Sequence, residues 1–120
     1  MGEGLCRHQR LRRRADFLRC YRSGRKRHGS LASLHSHSNE GQDARLGVTA
    51  SRKVGKAVVR HRLKRRVREI FRRFEDRGRL RPVDVVIHLK PAAAHATFAD
   101  LAEEIGRLLR SLIPETQRRP

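Results

Sequence analysis

The sequence predicts a single small α+β domain, a sandwich in the order α-β-β-α-β-α with its helices against one sheet. Three observations lead there. Apolar residues recur at helical spacing in three stretches, they alternate with polar residues in three others, and turn-forming residues separate the two kinds. At 120 residues the chain has the length of one domain.

Taken in order, residues 1–12 read as a basic N-terminal arm, 13–113 as the folded domain and 114–120 as a C-terminal tail. The first helix spans about 14–22, where Phe17, Cys20 and Tyr21 share one face. Ser23-Gly24 ends it, with Gly24 expected at a left-handed C-cap. A weak strand follows over 28–37, with Leu31, Ser33, His35 and His37 on one face, and 38–44 read as a loop. A better strand covers 45–51, where Leu46, Val48 and Ala50 alternate with Gly47, Thr49 and Ser51. The longest helical pattern runs from 56 to 75, with Val59, Leu63, Val67, Ile70, Phe71 and Phe74 as its apolar stripe. Residues 83–89 are the clearest strand, with Val83, Val85, Ile87 and Leu89 on one face. The last helix opens at Thr97, which forms a capping box with Asp100, and its stripe is Phe98, Leu101, Ile105, Leu108, Leu109 and Leu112. Pro114 closes it.

Charge narrows the function. The chain carries 30 Lys+Arg against 12 Asp+Glu, a formal net charge of +18. That excess is uneven: residues 1–51 contribute +7, residues 52–81 contribute +11, and residues 82–120 sum to zero. Self-repulsion of this size calls for a polyanion. Arginine dominates the basic residues, and its planar fork suits phosphate contacts and stacking on bases. No apolar run has the length of a membrane span, and the opening residues lack a signal-peptide core, so the expected location is cytoplasmic with no membrane partner. Nucleic acid is the expected ligand.

The segment Ser51–Glu69, SRKVGKAVVRHRLKRRVRE, concentrates the signal. On a helix its apolar stripe lies opposite an arc of Arg, Lys and His61 that is almost free of acids. A merely solvated face would mix signs, and like charges at Arg60, Lys64 and Arg68 need an external anion. Gly55 is expected at the N-cap, where Lys53 and Lys56 flank the positive end of the helix dipole. The spacing excludes a P-loop. Protein-borne catalysis lacks material: there is no carboxylate cluster for a two-metal site, and the serines beside His35 and His37 are explained by strand alternation. Cys6 and Cys20 are too few for a disulfide framework and form no C-x2-C pair for zinc, even with His28, His35 and His37 nearby. Cys20 reads as a small buried thiol.

These residues resemble the bacterial ribonuclease P protein family. The Lys/Arg-rich turn with Gly, the Ala-Val pair and the Arg60-His61-Arg62 core followed by Leu-Lys-Arg look like that family's signature, with His61 where the family has Asn. Asp16-Phe17, Tyr21 and Gly24, the Leu46-Gly-Val-Thr strand, and the strand ending at Lys90-Pro91 match in order as well. The resemblance covers about residues 11–113. It implies a fold like the ribosomal protein S5 domain 2-like fold, with a left-handed βαβ crossover. It also implies an accessory subunit of the endoribonuclease that removes the 5′ leader of precursor tRNA. The chemistry, with Mg²⁺, would belong to a catalytic RNA, and no protein partner or protein-bound metal would be required. Arg52, Lys53, Lys56, Arg60, Arg62, Lys64, Arg65 and Arg68 would dock that RNA. Phe17, Tyr21, His35 and His61 would face the leader, with core packing as the competing role for Phe17. A ribosomal or other general RNA-binding protein is the alternative, and it would leave the aromatic pair of the first helix without a purpose.

Overall fold

A computed structural model describes residues 9–41 and 43–114. Cys6, most of the expected arm and the tail beyond Pro114 lie outside the described residues. The elements are α1 (Arg14–Ser23), β1 (Arg25–His28), β2 (Ala32–Ser38), β3 (Arg45–Ala50), α2 (Ala57–Arg73), β4 (Val83–Leu89) and α3 (Phe98–Arg110). The strands form one sheet in the order β1-β2-β4-β3, antiparallel except for the parallel pair β3 and β4. Parallel neighbours need a long crossover, and α2 provides it.

Alternation decides which side of the sheet each strand residue serves. Leu34, Leu46, Val48, Val85, Ile87 and Leu89 face Leu63, Val67, Ile70 and Phe71 of α2 and Leu101, Ile105 and Leu109 of α3. Each such side chain, fully buried, contributes about 1.5–3 kcal/mol. On the opposite face, Cys20 and Val86 form a smaller cluster with Leu11, and Phe17 packs against it. The sheet is therefore covered by α2 and α3 on one side and by α1 on part of the other.

Several expectations are corrected. The weak strand expected over 28–37 is β2, beginning at Ala32, and a strand the spacing did not predict precedes it in a hairpin, so the order gains β1, whose residues RKRH are all exposed. No change of polarity along β1 announces it. Leu31 lies in the turn rather than on the strand face, because Glu104 of α3 grips that turn. Glu104 accepts hydrogen bonds from the backbone N–H groups of Ser30, Leu31 and Ala32 at 2.8–2.9 Å and from the Ser30 hydroxyl at 2.8 Å. Gly24 is extended (φ −87°) rather than left-handed. Its need for glycine is steric: a Cβ there would run into the carbonyl oxygens of Ser36 and Cys20. Lys56, not Gly55, is the N-cap of α2, and Gly55 at φ +151° makes the turn before it. The helix α2 stops at Arg73, two residues short of the expected end. Leu11 is buried and its N–H bonds to the Leu46 carbonyl at 2.9 Å, so the fold begins inside the expected arm. Phe98, counted in the apolar stripe of α3, is 44% exposed at its first turn.

Candidate nucleic-acid interface

Two surfaces emerge, one on α2 and one beneath α1. Arg52 and Lys53 occupy the 3₁₀ turn before α2, and Lys56 caps the helix. Along α2, Arg62 and Arg65 are exposed, while Arg60, Lys64 and Arg68 are half-buried beside the apolar stripe. None of these eight residues has an ion pair among the described residues. The sole acid of α2, Glu69, turns instead to the residues after it, Arg72 at 2.6 Å and Arg73 at 2.5 Å. Those guanidiniums, Arg72 first, hold the Glu69 carboxyl below the usual range. Burial, and then the neighbouring Arg10 and Arg65 charges, lower the Arg68 pKa. The helix thus gathers positive charge that nothing in the described fold neutralises.

The second surface is a cleft between α1 and the uncovered part of the sheet. Two carboxylates seat α1 here. Arg45 of β3 donates two hydrogen bonds of 2.8 Å to buried Asp84 of β4 and lies 3.6 Å from Asp16 of α1. Asn39 donates a further bond of 2.9 Å to Asp84. Cys20, on the buried face of α1, has its thiol 3.6 Å from the Asp84 carbonyl, and burial, then Asp84 and Asp16, push its pKa up to about 11. The expected buried thiol is therefore unreactive.

Above this seat, the Tyr21 and His35 rings lie 4.5 Å apart, tilted by 58°, and His88 meets Tyr21 edge-on at 6.4 Å. The Tyr21 hydroxyl bonds to the Thr49 hydroxyl at 2.6 Å, and that hydroxyl to His88 Nδ1 at 2.8 Å. Burial, followed by the charge of Lys26, lowers the pKa of both His35 and His88, which favours neutral rings. With His88 accepting at Nδ1, the chain runs Tyr21 to Thr49 to His88 and leaves Nε2–H as a donor. Phe17 lies over Gly47, where an added Cβ would collide with its ring. It lines a side pocket with Arg10, Arg12 and Arg68, so the foot of the cleft adjoins the basic face of α2.

Three of the four expected leader residues come together: Tyr21 and His35 touch, and Phe17 lies one turn away on α1. His61 does not join them. It is exposed on α2 two turns from Arg68, with no hydrogen bond or ring contact to the other three. Sequence reasoning missed Thr49 and His88. Both sit out of phase with the apolar alternation of their strands, on the face away from the main core, and that phase was the available signal.

A family model described as Ribonuclease P matches residues 5–113. The chain belongs to the ribonuclease P protein family. It is 35% identical to the ribonuclease P protein component of Syntrophus aciditrophicus, over 84% of each chain. Against the component of Desulfovibrio desulfuricans it is 39% identical over 90% of this chain and 85% of that one. Solved structures agree. The RNase P protein from Thermotoga maritima superposes with a TM-score of 0.76 at 33% identity, covering 85% of this chain and 96% of that one. The Staphylococcus aureus RNase P protein gives a TM-score of 0.78 at 26% identity, covering 86% and 94%. The family members are accessory subunits of the tRNA 5′-processing endoribonuclease, and this one is an RNase P protein that associates with RNase P RNA. A general ribosomal role is set aside.

Residues fit for Mg²⁺ are not found: among the described residues no group of three or more His, Cys, Asp or Glu could hold a metal ion. The carboxylates of the cleft, Asp16 and Asp84, are already paired with Arg45. No helix of the described residues is long and apolar enough to cross a membrane.

Proposed function

We propose that the protein holds two RNAs at once in the cytoplasm: the catalytic RNA of ribonuclease P on the outer face of α2, and the 5′ leader of precursor tRNA in the α1 cleft. The observation that carries this reading is the adjacency of two unlike surfaces, one charged with Glu69 as its sole acid, the other lined by rings. Arg52, Lys53, Lys56, Arg60, Arg62, Lys64, Arg65 and Arg68 replace counterions along the catalytic RNA and so reduce its repulsion from the substrate. A leader without fixed sequence is better gripped by stacking than by base-edge contacts, and Tyr21, His35 and Phe17 offer that platform. Thr49 and His88 fix the orientation of the Tyr21 ring. His61, on the outer face of α2, belongs with the RNA-docking group. The Mg²⁺ needed for hydrolysis resides on the RNA, and the protein's own part is binding and positioning.

Reconstitution tests this. A bacterial RNase P RNA should cleave precursor tRNA with this protein at a Mg²⁺ concentration too low for the RNA alone. The protein should also raise affinity for precursor over mature tRNA. Assembly that leaves both cleavage and that affinity ratio unchanged would overturn the reading.

A further inference from the structure

Neither surface uses the basic residues at the far edge of the sheet. Among the described residues the strand β1 pairs only with β2, which leaves its outer edge open, and all four of its residues are exposed. Side chains alternate along a strand. Lys26 and His28, opposite His35 and Ser33, therefore turn toward the cleft. Arg25 and Arg27, opposite Ser36 and Leu34, turn to the other face of the sheet. There they line a groove of about 580 Å³ together with Arg81 and the chain leaving α3 at Ser111–Pro114.

The lining decides what the groove can take. It includes three arginines and no Asp or Glu. None of these arginines has an ion pair among the described residues. Its only aromatic ring is that of His37, so it offers forks for phosphate rather than a platform for bases. Ser23 and Gly24, at the end of α1 and just past Tyr21, also border it. A strand whose bases rest on Tyr21 and His35 can cross Lys26 at the open edge and reach Arg25 and Arg27 behind it. Polarity follows from the sheet: α2 packs on β3, the opposite edge, where the catalytic RNA docks. A strand leaving over β1 therefore leads away from the face proposed to dock the catalytic RNA.

We propose that Arg25, Arg27 and Arg81 bind the phosphodiester backbone of leader nucleotides beyond those in the cleft, so that a long leader wraps the β1 edge. This rests on the leader reading of the cleft. Holoenzyme carrying Arg25→Gln, Arg27→Gln and Arg81→Gln together should be titrated with mature tRNA, a precursor whose leader ends in the cleft, and one with a leader several nucleotides longer. Only the longest substrate should lose affinity, and its salt dependence should flatten by about one unit of slope for each phosphate left without its arginine. Assembly with the catalytic RNA and the melting temperature should hold. Equal losses on short and long leaders, weaker assembly, or no change on the long leader would each overturn the proposal. Tyr21→Ala in parallel separates the two failures. If it lowers affinity for both precursors while the triple variant affects neither, the groove falls and the cleft stands.

Discussion

The outer face of α2 and the cleft beneath α1 both serve RNA, yet they are built in opposite ways. On α2, cations stand beside cations: Glu69 pairs with Arg72 and Arg73 at the end of the helix, and Arg60, Arg62, Lys64, Arg65 and Arg68 have no ion pair among the described residues. In the cleft almost every polar group is already engaged: Tyr21 with Thr49, Thr49 with His88, Arg45 with Asp84. The first surface stores repulsion that a polyanion relieves, so it should respond strongly to salt and weakly to exact geometry. The second is a fixed arrangement of neutral rings, so it should respond to shape. This contrast predicts a separate failure for each.

The largest effect is expected at the seat of the cleft. Asp84→Ala leaves the Arg45 guanidinium only its 3.6 Å contact with Asp16 and removes the side-chain anchor between β3 and β4. Breaking a fully buried pair costs about 3–5 kcal/mol, and the 30% exposure of Arg45 and its contact with Asp16 put this loss below that range. Melting should fall sharply, and leader binding should suffer before assembly does, because α1 loses its footing while α2 keeps its own core. Urea titration combined with both binding assays checks the order of loss.

A smaller effect is expected from Arg62→Ala with Arg65→Ala. Both side chains are exposed, so the fold should hold. Assembly with the catalytic RNA should weaken, and the slope of log affinity against log salt should shrink by about one for each phosphate that the variant no longer neutralises. An intact fold with unchanged affinity and slope would remove this face from the docking surface.

The smallest effect concerns pH. Burial lowers the pKa of His35 and His88 from the ordinary 6.5, with Lys26 of β1 adding to both, His88 and then His28 to His35, and Lys90 to His88. In the window below 6.5 the unfolded chain binds more protons than the folded one, so stability rises with pH there. It should be complete above about 6.5 and decline as the pH falls through that value toward the folded pKa. His35→Gln with His88→Gln should flatten this part of the melting profile.

Much of the fold was readable because it follows periodicity. The stripe of α2 from Leu63 to Phe71, the strand Val83–Leu89 and the Thr97 cap all stand where spacing puts them. So does the basic face, since a helix converts spacing directly into a surface. What escaped depends on contacts distant in sequence. β1 exists because Glu104, more than seventy residues away, holds the turn that pairs it with β2. Asp84 is buried because Arg45 and Asn39 meet it from other elements. The Tyr21–Thr49–His88 chain joins α1, β3 and β4, and no local pattern encodes it. Its sole trace was polar residues out of phase in otherwise apolar strands.

The claim that the cleft and α2 do separate work is tested most directly by the precursor-to-mature tRNA affinity ratio of holoenzyme carrying Tyr21→Ala. Loss of a stacking ring should lower precursor binding by about 1–3 kcal/mol while mature tRNA, which has no leader, binds as before. Assembly should be unchanged, and Tyr21→Phe, which keeps the ring and loses only the bond to Thr49, should recover most of the ratio. A lower melting temperature with an unchanged ratio would contradict the account, placing Tyr21 in the structural frame and leaving the cleft without its platform.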